Sequence, residues 1–412
     1  MWVERLRQGD WLDRARVRGY LHIIAIVNLA VLVWLIGTAR SGIDRNGFLL
    51  GTDFLSFWAT ANLLQQGGNP YDVAAHLAVQ REIYAGHGGY TAFFYPPPFL
   101  LILWPLAGLG YFWALVVWLM TTGAAYALAV RAWLGKQTGL GKNAWIAFAA
   151  FPPVLITITH GQTSFLTAAL LGGGCWLVAR GSSRFGAFSG GILLGLAVFK
   201  PQFGLLIPLA LLAAGQWRAI AGAVSGALTL ALGATLAFGV QMWGDWLAMM
   251  GPAQDAMAGG AIGFAKAMSP FAAARLLGVD EGIAYALQAG VTLLVAALVS
   301  RAAWRCGFTL EVAAALMAGS LLATPFVLDY DFTLLAFPLA LLVNRTALPW
   351  ERLIAALAFL APAIARPLGL TTGIAIMPLV MGVLFWMLIR RIDTKKAPQI
   401  GAFLANGGRS KD

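Results

Sequence analysis

Charge is what this chain has least of. Only 11% of its 412 residues are Asp, Glu, Lys or Arg, whereas 60% are hydrophobic and the mean hydropathy is +0.76. A soluble globular domain carries about a quarter of its residues charged, so that class is excluded. Cysteine is nearly absent. Cys175 and Cys306 lie in or beside apolar segments without metal-ligand spacing, which argues against a disulfide framework and against zinc. Also missing are a Gly-x-Ser-x-Gly elbow, a Gly-rich Lys-Ser/Thr phosphate loop, a His-Glu-x-x-His helix and a dinucleotide fingerprint. Hydrolysis by those chemistries and direct ATP use are therefore disfavoured, no cofactor is expected, and a metal requirement is disfavoured.

What is present is a polytopic, all-α membrane protein. Its 48 glycines suit close helix packing in lipid, and its 16 tryptophans suit the two interfaces. The net charge of +11 does not point to nucleic acid, because most Lys and Arg residues sit in short loops or tails beside apolar segments. The leading stretch "MWVERLRQGDWLDRARVRGY" is too long and polar for a cleaved signal, so the helix after it is expected to stay as an anchor.

About thirteen apolar segments can be marked between residues 21 and 389. The basic clusters Arg5/Arg7/Arg14/Arg16/Arg18, Arg131/Lys136/Lys142, Arg180/Arg184, Arg218, Arg301/Arg305, Arg345/Arg352 and Arg390/Arg391/Lys395/Lys396 all belong on the cytoplasmic side. About twelve crossings satisfy that rule if "YPPPFLLILWPLAGLG", from Tyr95 to Gly110, lies on or shallowly in the outer interface; its prolines make it a poor spanning helix. Both termini are then cytoplasmic. The organisation is one transmembrane domain over 1–412, with a first outer loop at roughly 39–110, a second at roughly 240–282 and a cytoplasmic tail at roughly 390–412.

The scarce polar groups gather at the outer face: Asp53, His76, His87, His160, Gln162, Lys200, Gln202, Lys266, Asp329, Tyr330, Asp331 and Arg366. Ionised groups near hydrocarbon are costly, so such a gathering indicates a cavity. Asp53 opens "DFLSFWATANLLQQ", whose Phe54, Phe57, Trp58, Ala61 and Leu64 recur at helical spacing, as in an amphipathic interfacial helix. As a helix N-cap it would be purely structural; as a carboxylate at the membrane surface it would be a general base, and the two roles are compatible. Lys200 in "FKPQF" is either a snorkelling lysine or the cation for a phosphate. His160-Gly161-Gln162 is either a tight turn or part of the cavity. The Asp-x-Asp of "LDYDF" is a weak metal signal, and His76 and His87 read as surface histidines.

Five stretches in order, "DFLSFWATANLLQQGGNPYD", "FYPPPFLLILWPL", "HGQTSFLTAALL", "GLAVFKPQFGLLIPLALL" and "TPFVLDYDFTLLAFPLALL", resemble glycosyltransferase family 87 over about 300 residues. These membrane enzymes of the GT-C type are similar to polyprenol-phosphate-mannose-dependent alpha-1,2-mannosyltransferases. The resemblance implies a GT-C bundle with interfacial helices in the first outer loop. It implies Asp53 as catalytic base, with Gln162, Lys200 and Asp331 as cavity residues. His160, Tyr330, Arg366 and Tyr95 join them as candidate donor or acceptor contacts. In one departure, the last motif commonly reads His-Asp and here reads Tyr330-Asp331, so a phosphate or acceptor contact is replaced.

The expected activity is inverting transfer of a sugar, mannose or similar, from a polyprenyl-phosphate donor to a glycolipid or glycan hydroxyl at the outer face of the cytoplasmic membrane. The expected partners are that donor, that acceptor and membrane lipids, without nucleic acid. A lipid or sugar transporter is the rival from another class, and it would place its ionisable groups at mid-membrane in paired repeats; no such repeat is visible. A non-catalytic membrane scaffold is the third reading.

Overall fold

The computed structural model describes residues 2–84, 89–135, 144–181, 184–261, 263–343, 345 and 347–406. His87, Lys136 and Lys142 lie outside these. Among the described residues the chain is helical, with isolated bridges and no strand. Five helices are long and apolar enough to cross a membrane by length and composition: Arg14–Thr38, Tyr111–Leu134, Trp217–Phe238, Glu281–Cys306 and Glu351–Thr372. Four shorter apolar helices accompany them. The apolar segments of the sequence are interrupted where backbone chemistry demands it, at Pro152 after Phe151 and at Pro201 after Lys200. The count of about twelve crossings accordingly stays an expectation.

Packing is densest where side chains vanish. The Arg184–Leu196 and Trp217–Phe238 helices meet along glycines, and a Cβ on Gly195 would fall 2.0 Å from the carbonyl oxygen of Ala223. One on Gly222 would fall 2.1 Å from that of Phe188. Such backbone approach gains van der Waals contact that larger residues forbid. The Leu310–Leu322 helix is apolar but for Glu311 and Ser320 and is buried from Glu311 to Leu322, so it forms the centre of the bundle. By contrast the Arg14–Thr38 helix, capped by Asp13 through the amide of Arg16, buries Leu21 alone and stands at the periphery.

The region between the first two long helices is folded onto the bundle. The Phe54–Gln65 helix was expected to be amphipathic and to lie at the interface. Instead every residue from Phe54 to Ala61 is buried, because the Tyr111–Leu134 helix and the Pro98–Leu103 turn cover it from different sides. Phe54, Phe57, Phe99 and Trp118 pack within it at centroid separations of 5.3 to 6.3 Å, edge to face except for the tilted pair of Phe54 and Trp118. The Tyr95–Gly110 stretch yields only the six-residue Pro98–Leu103 helix and a 3-10 turn, too short to cross a bilayer.

His76 corrects a second expectation. It is fully buried rather than on the surface, since the Val73–Ile83 helix lays it against Ser56 and Thr60. Its Nε2 lies 3.0 Å from the Ser56 carbonyl, and Gln80 Nε2 lies 2.9 Å from its Nδ1. Those partners suit a neutral ring that donates from Nε2 and accepts at Nδ1. Burial pushes its pKa down from 6.5 to about 4. A base depressed on folding contributes stability that is present above pH 6.5 and lost as pH falls towards 4, because only the unfolded chain takes up the proton. At pH 5 the penalty is about 2 kcal/mol. Detergent-solubilised protein should therefore unfold at a lower temperature at pH 5 than at pH 7.5, and His76→Gln should remove much of that difference. An equal pH dependence in the variant would contradict the assignment.

Candidate active site

Three interruptions of the helices, at Gly161, at Lys200 before Pro201 and at Leu328, converge to build the site. The Pro152–His160 helix ends at Gly161, which adopts the left-handed conformation (φ 65°). A Cβ there would sit 2.6 Å from that of Phe54, so only glycine serves. The carbonyls left open at this helix end are used: His160 O accepts from the amide of Asp53 at 3.0 Å and Thr159 O from that of Gly51 at 3.0 Å. Tyr111 adds its hydroxyl to the carbonyls of Leu50 and Gly51, both at 2.8 Å. The backbone at Asp53 is thus fixed before its side chain does anything.

That side chain does not cap. Asp53 occupies the N-cap position of the Phe54–Gln65 helix with no side-chain capping bond, so the capping reading is overturned. Its backbone torsions (φ −80°, ψ −24°) are helical, which turns the carboxylate away from the first-turn amides. The carboxylate instead accepts from Gln162 Nε2 at 3.2 Å on one oxygen, and the other is 3.4 Å from the hydroxyl of Thr52. Lys266 Nζ approaches to 3.9 Å, and the Asp53 side chain keeps 21% of its surface exposed.

Gln162 is the hub. Its amide NH2 donates to Asp53 and to the hydroxyl of Tyr330 (3.2 Å), while its carbonyl oxygen accepts from Tyr95 OH (3.0 Å) and the Thr163 amide (2.6 Å). Every polar atom of the side chain is engaged, which fixes its orientation. Behind Tyr330 lies a buried ion pair, Lys200 Nζ to Asp331 Oδ1 at 2.6 Å, with both side chains at most 5% exposed. Ser164 donates to the same carboxylate oxygen at 3.0 Å and the Leu328 amide to the other at 3.1 Å. Lys200 is therefore not a snorkelling lysine, and its ammonium is already committed.

The two carboxylates of Asp-x-Asp diverge. Asp331 faces Lys200, whereas Asp329 pairs with Arg366 at 3.5 Å, and burial raises the Asp329 pKa against the opposing pull of Lys266, His160 and Arg366. No group of three or more His, Cys, Asp or Glu side chains with the makings of a metal site occurs among the described residues. His160 packs edge-on to Tyr330 at 5.8 Å, and Lys266 Nζ lies 5.5 Å from the same ring. Burial, reinforced by Asp53 and Asp331, pushes the Tyr330 phenol well up, so it remains a hydroxyl.

All eight residues singled out from sequence, Asp53, Tyr95, His160, Gln162, Lys200, Tyr330, Asp331 and Arg366, fall into this one cluster. Sequence reasoning placed Lys266 and Asp329 among the polar groups without choosing them, and it passed over Ser164 and Thr163. The signal for Lys266 was the same as for Lys200, a lysine in a segment that the charge pattern assigns to the outer side. Its loop is brought in by the backbone pairing of Ala267 with Leu328 and by the Met268 amide on the Val327 carbonyl at 2.8 Å.

A family profile, glycosyltransferase family 87, matches residues 93–325, more than half of the chain, and the chain belongs to that family. No match was found among curated proteins or among solved structures. The matched span contains Tyr95, His160, Gln162, Lys200 and Lys266, while Asp53 precedes it and Asp329, Tyr330, Asp331 and Arg366 follow it. Membership, with the apolar helices, makes this a multi-pass membrane glycosyltransferase.

Removing one partner of a buried pair strands the other, at a cost of about 3–5 kcal/mol, whereas replacing both with apolar groups is far milder. Lys200→Met should accordingly lower the unfolding temperature sharply in detergent, and Lys200→Met/Asp331→Leu should recover much of the loss. A stable Lys200→Met whose only defect is a raised donor KM would put Lys200 on the substrate instead.

Proposed function

We propose that this family 87 enzyme transfers a hexose, mannose or similar, from a polyprenyl-phosphate donor to a hydroxyl of a glycolipid or glycan. The reaction takes place at the outer face of the cytoplasmic membrane, with about twelve crossings and both termini inside, as the distribution of Lys and Arg supports. The observation that carries the reading is the state of Asp53. Its carboxylate is backbone-anchored and oriented by Gln162, yet it is partly exposed and has one oxygen with only a long contact to Thr52. A side chain that is positioned, uncapped and open to the cleft is what a general base requires.

In this mechanism the acceptor hydroxyl binds against Asp53 and gives it the proton as its oxygen attacks the anomeric carbon. The bond from that carbon to the phosphate oxygen breaks on the opposite face, and the electron pair leaves with the phosphate. The sugar is therefore inverted. Charge develops on the leaving phosphate, and a cation there stabilises it in a partly dry site. Lys200 is tied to Asp331, so the accessible cations are Lys266 and Arg366, whose side chains are 16% and 42% exposed. Lys266 lies near Asp53 in the substrate-free protein. A donor phosphate draws it away and leaves the carboxylate free to accept the proton. Tyr330, standing where the family commonly has His, offers its hydroxyl and ring face to donor or acceptor, with His160 and Tyr95 beside it. The lipid-linked sugar is substrate, and the chemistry needs no cofactor.

Asp53→Asn keeps the shape and removes the base. With a labelled polyprenyl-phosphate mannose and membrane glycolipid acceptors, transfer should fall by about 10² to 10⁴. The variant should insert and unfold as the wild type does. Transfer within a few-fold of wild type would remove Asp53 from the reaction, and facilitated movement of the donor across vesicles without transfer would favour the transporter reading.

A further inference from the structure

We propose that the opposite end of the molecule binds an anionic glycerophospholipid of the surrounding bilayer, with an acyl chain in a slot beside the Arg14–Thr38 helix and the phosphate at its mouth. Because the Arg14–Thr38 helix buries only Leu21, it leaves a cavity of about 930 Å³ between itself and the bundle. That size lies within the usual range of ligand sites, about 300–1,000 Å³. The slot is walled by Leu21, Ile24, Phe148, Leu339, Phe359 and Leu360, and it opens at Trp11, Arg14, Arg18 and Arg352.

Two independent features at this mouth ask for an oxygen anion. The indole N–H of Trp11 is buried with no hydrogen-bond partner among the described residues, an arrangement that costs free energy until an acceptor arrives. Arg14 and Arg18, one helical turn apart and exposed, have no carboxylate partner among the described residues. Of the acids at the rim, Asp13 caps the helix and pairs with Arg16, and Glu351 pairs with Arg391. Arg345 is matched by Glu311, so Asp10 is the acid left open. Arg352 donates to the Gly9 carbonyl at 3.1 Å, and the remaining two arginines, Arg14 and Arg18, against one aspartate leave a surplus of positive charge for a phosphodiester.

The lipid held here is distinct from the sugar donor. The Glu351–Thr372 helix begins at this mouth and reaches the catalytic cluster at Arg366. Fifteen residues of helix separate the two by about 22 Å, so a head group at Arg14 cannot present a sugar to Asp53. The proposal is therefore independent of the activity assigned to that cluster.

The test is native mass spectrometry of the full chain in detergent, titrated with phosphatidylglycerol, phosphatidylcholine or an isoprenyl phosphate. Phosphatidylglycerol should be retained at least about tenfold better than phosphatidylcholine. Ala356→Trp, which fills the slot without changing charge, should lose that retention. Arg14→Gln/Arg18→Gln should keep binding but lose the preference between the two phospholipids. Equal retention of both phospholipids overturns the proposal, as does undiminished retention by Ala356→Trp. Stronger retention of the isoprenyl phosphate would also overturn it.

Discussion

The buried pair of Lys200 and Asp331 is the constraint on which the catalytic end of the protein depends. Two charges taken out of water are tolerated only with good geometry and further hydrogen bonds, and Ser164 and the Leu328 amide supply these. Satisfying Asp331 fixes the turn from Leu328 onward, and that turn aims Asp329 and Tyr330. Leu328 in turn pairs with Ala267, so the loop that bears Lys266 is located by the same turn. The pair thus acts as a keystone of the substrate-free site.

Around it the charges alternate. Asp53 faces Lys266, Asp329 faces Arg366 and Asp331 faces Lys200, with Gln162 and Tyr330 between the first and last. Exposure rises from the Lys200 pair outward to Arg366, so the inner pair is rigid while the outer cations remain within reach of a ligand. In the proposed reaction the donor phosphodiester brings one negative charge and gains a second as it leaves, and Lys266 and Arg366 are the cations exposed to meet it while the keystone stays intact. The protein thus carries two kinds of ion pair, one buried and one partly open to solvent.

Much of this was legible in the chain, for reasons that can be named. Asp53, Lys200, Gln162 and Asp331 stood out because polar groups are rare at the edges of apolar segments, and five motifs in order pointed to the family that the profile match bears out. What was not legible was pairing. Lys200 and Asp331 are 131 residues apart, and no periodicity announces that they neutralise each other. The Phe54–Gln65 helix read as amphipathic because periodicity reports one apolar face. It cannot report that other elements cover the remaining faces and that Thr60 and His76 satisfy each other inside. His76 was misread for the same cause, since a histidine in a loop gives no sign of the helix that will bury it.

The most direct test of the account is a structure of the protein with a non-transferable polyprenyl-phosphate sugar analogue. The account predicts the phosphate within about 4 Å of the Lys266 ammonium. It also predicts Lys266 withdrawn from Asp53, the anomeric carbon facing Asp53, and Lys200 still paired with Asp331. A phosphate seated on Lys200 with Asp331 displaced, or a sugar held away from Asp53, would contradict it.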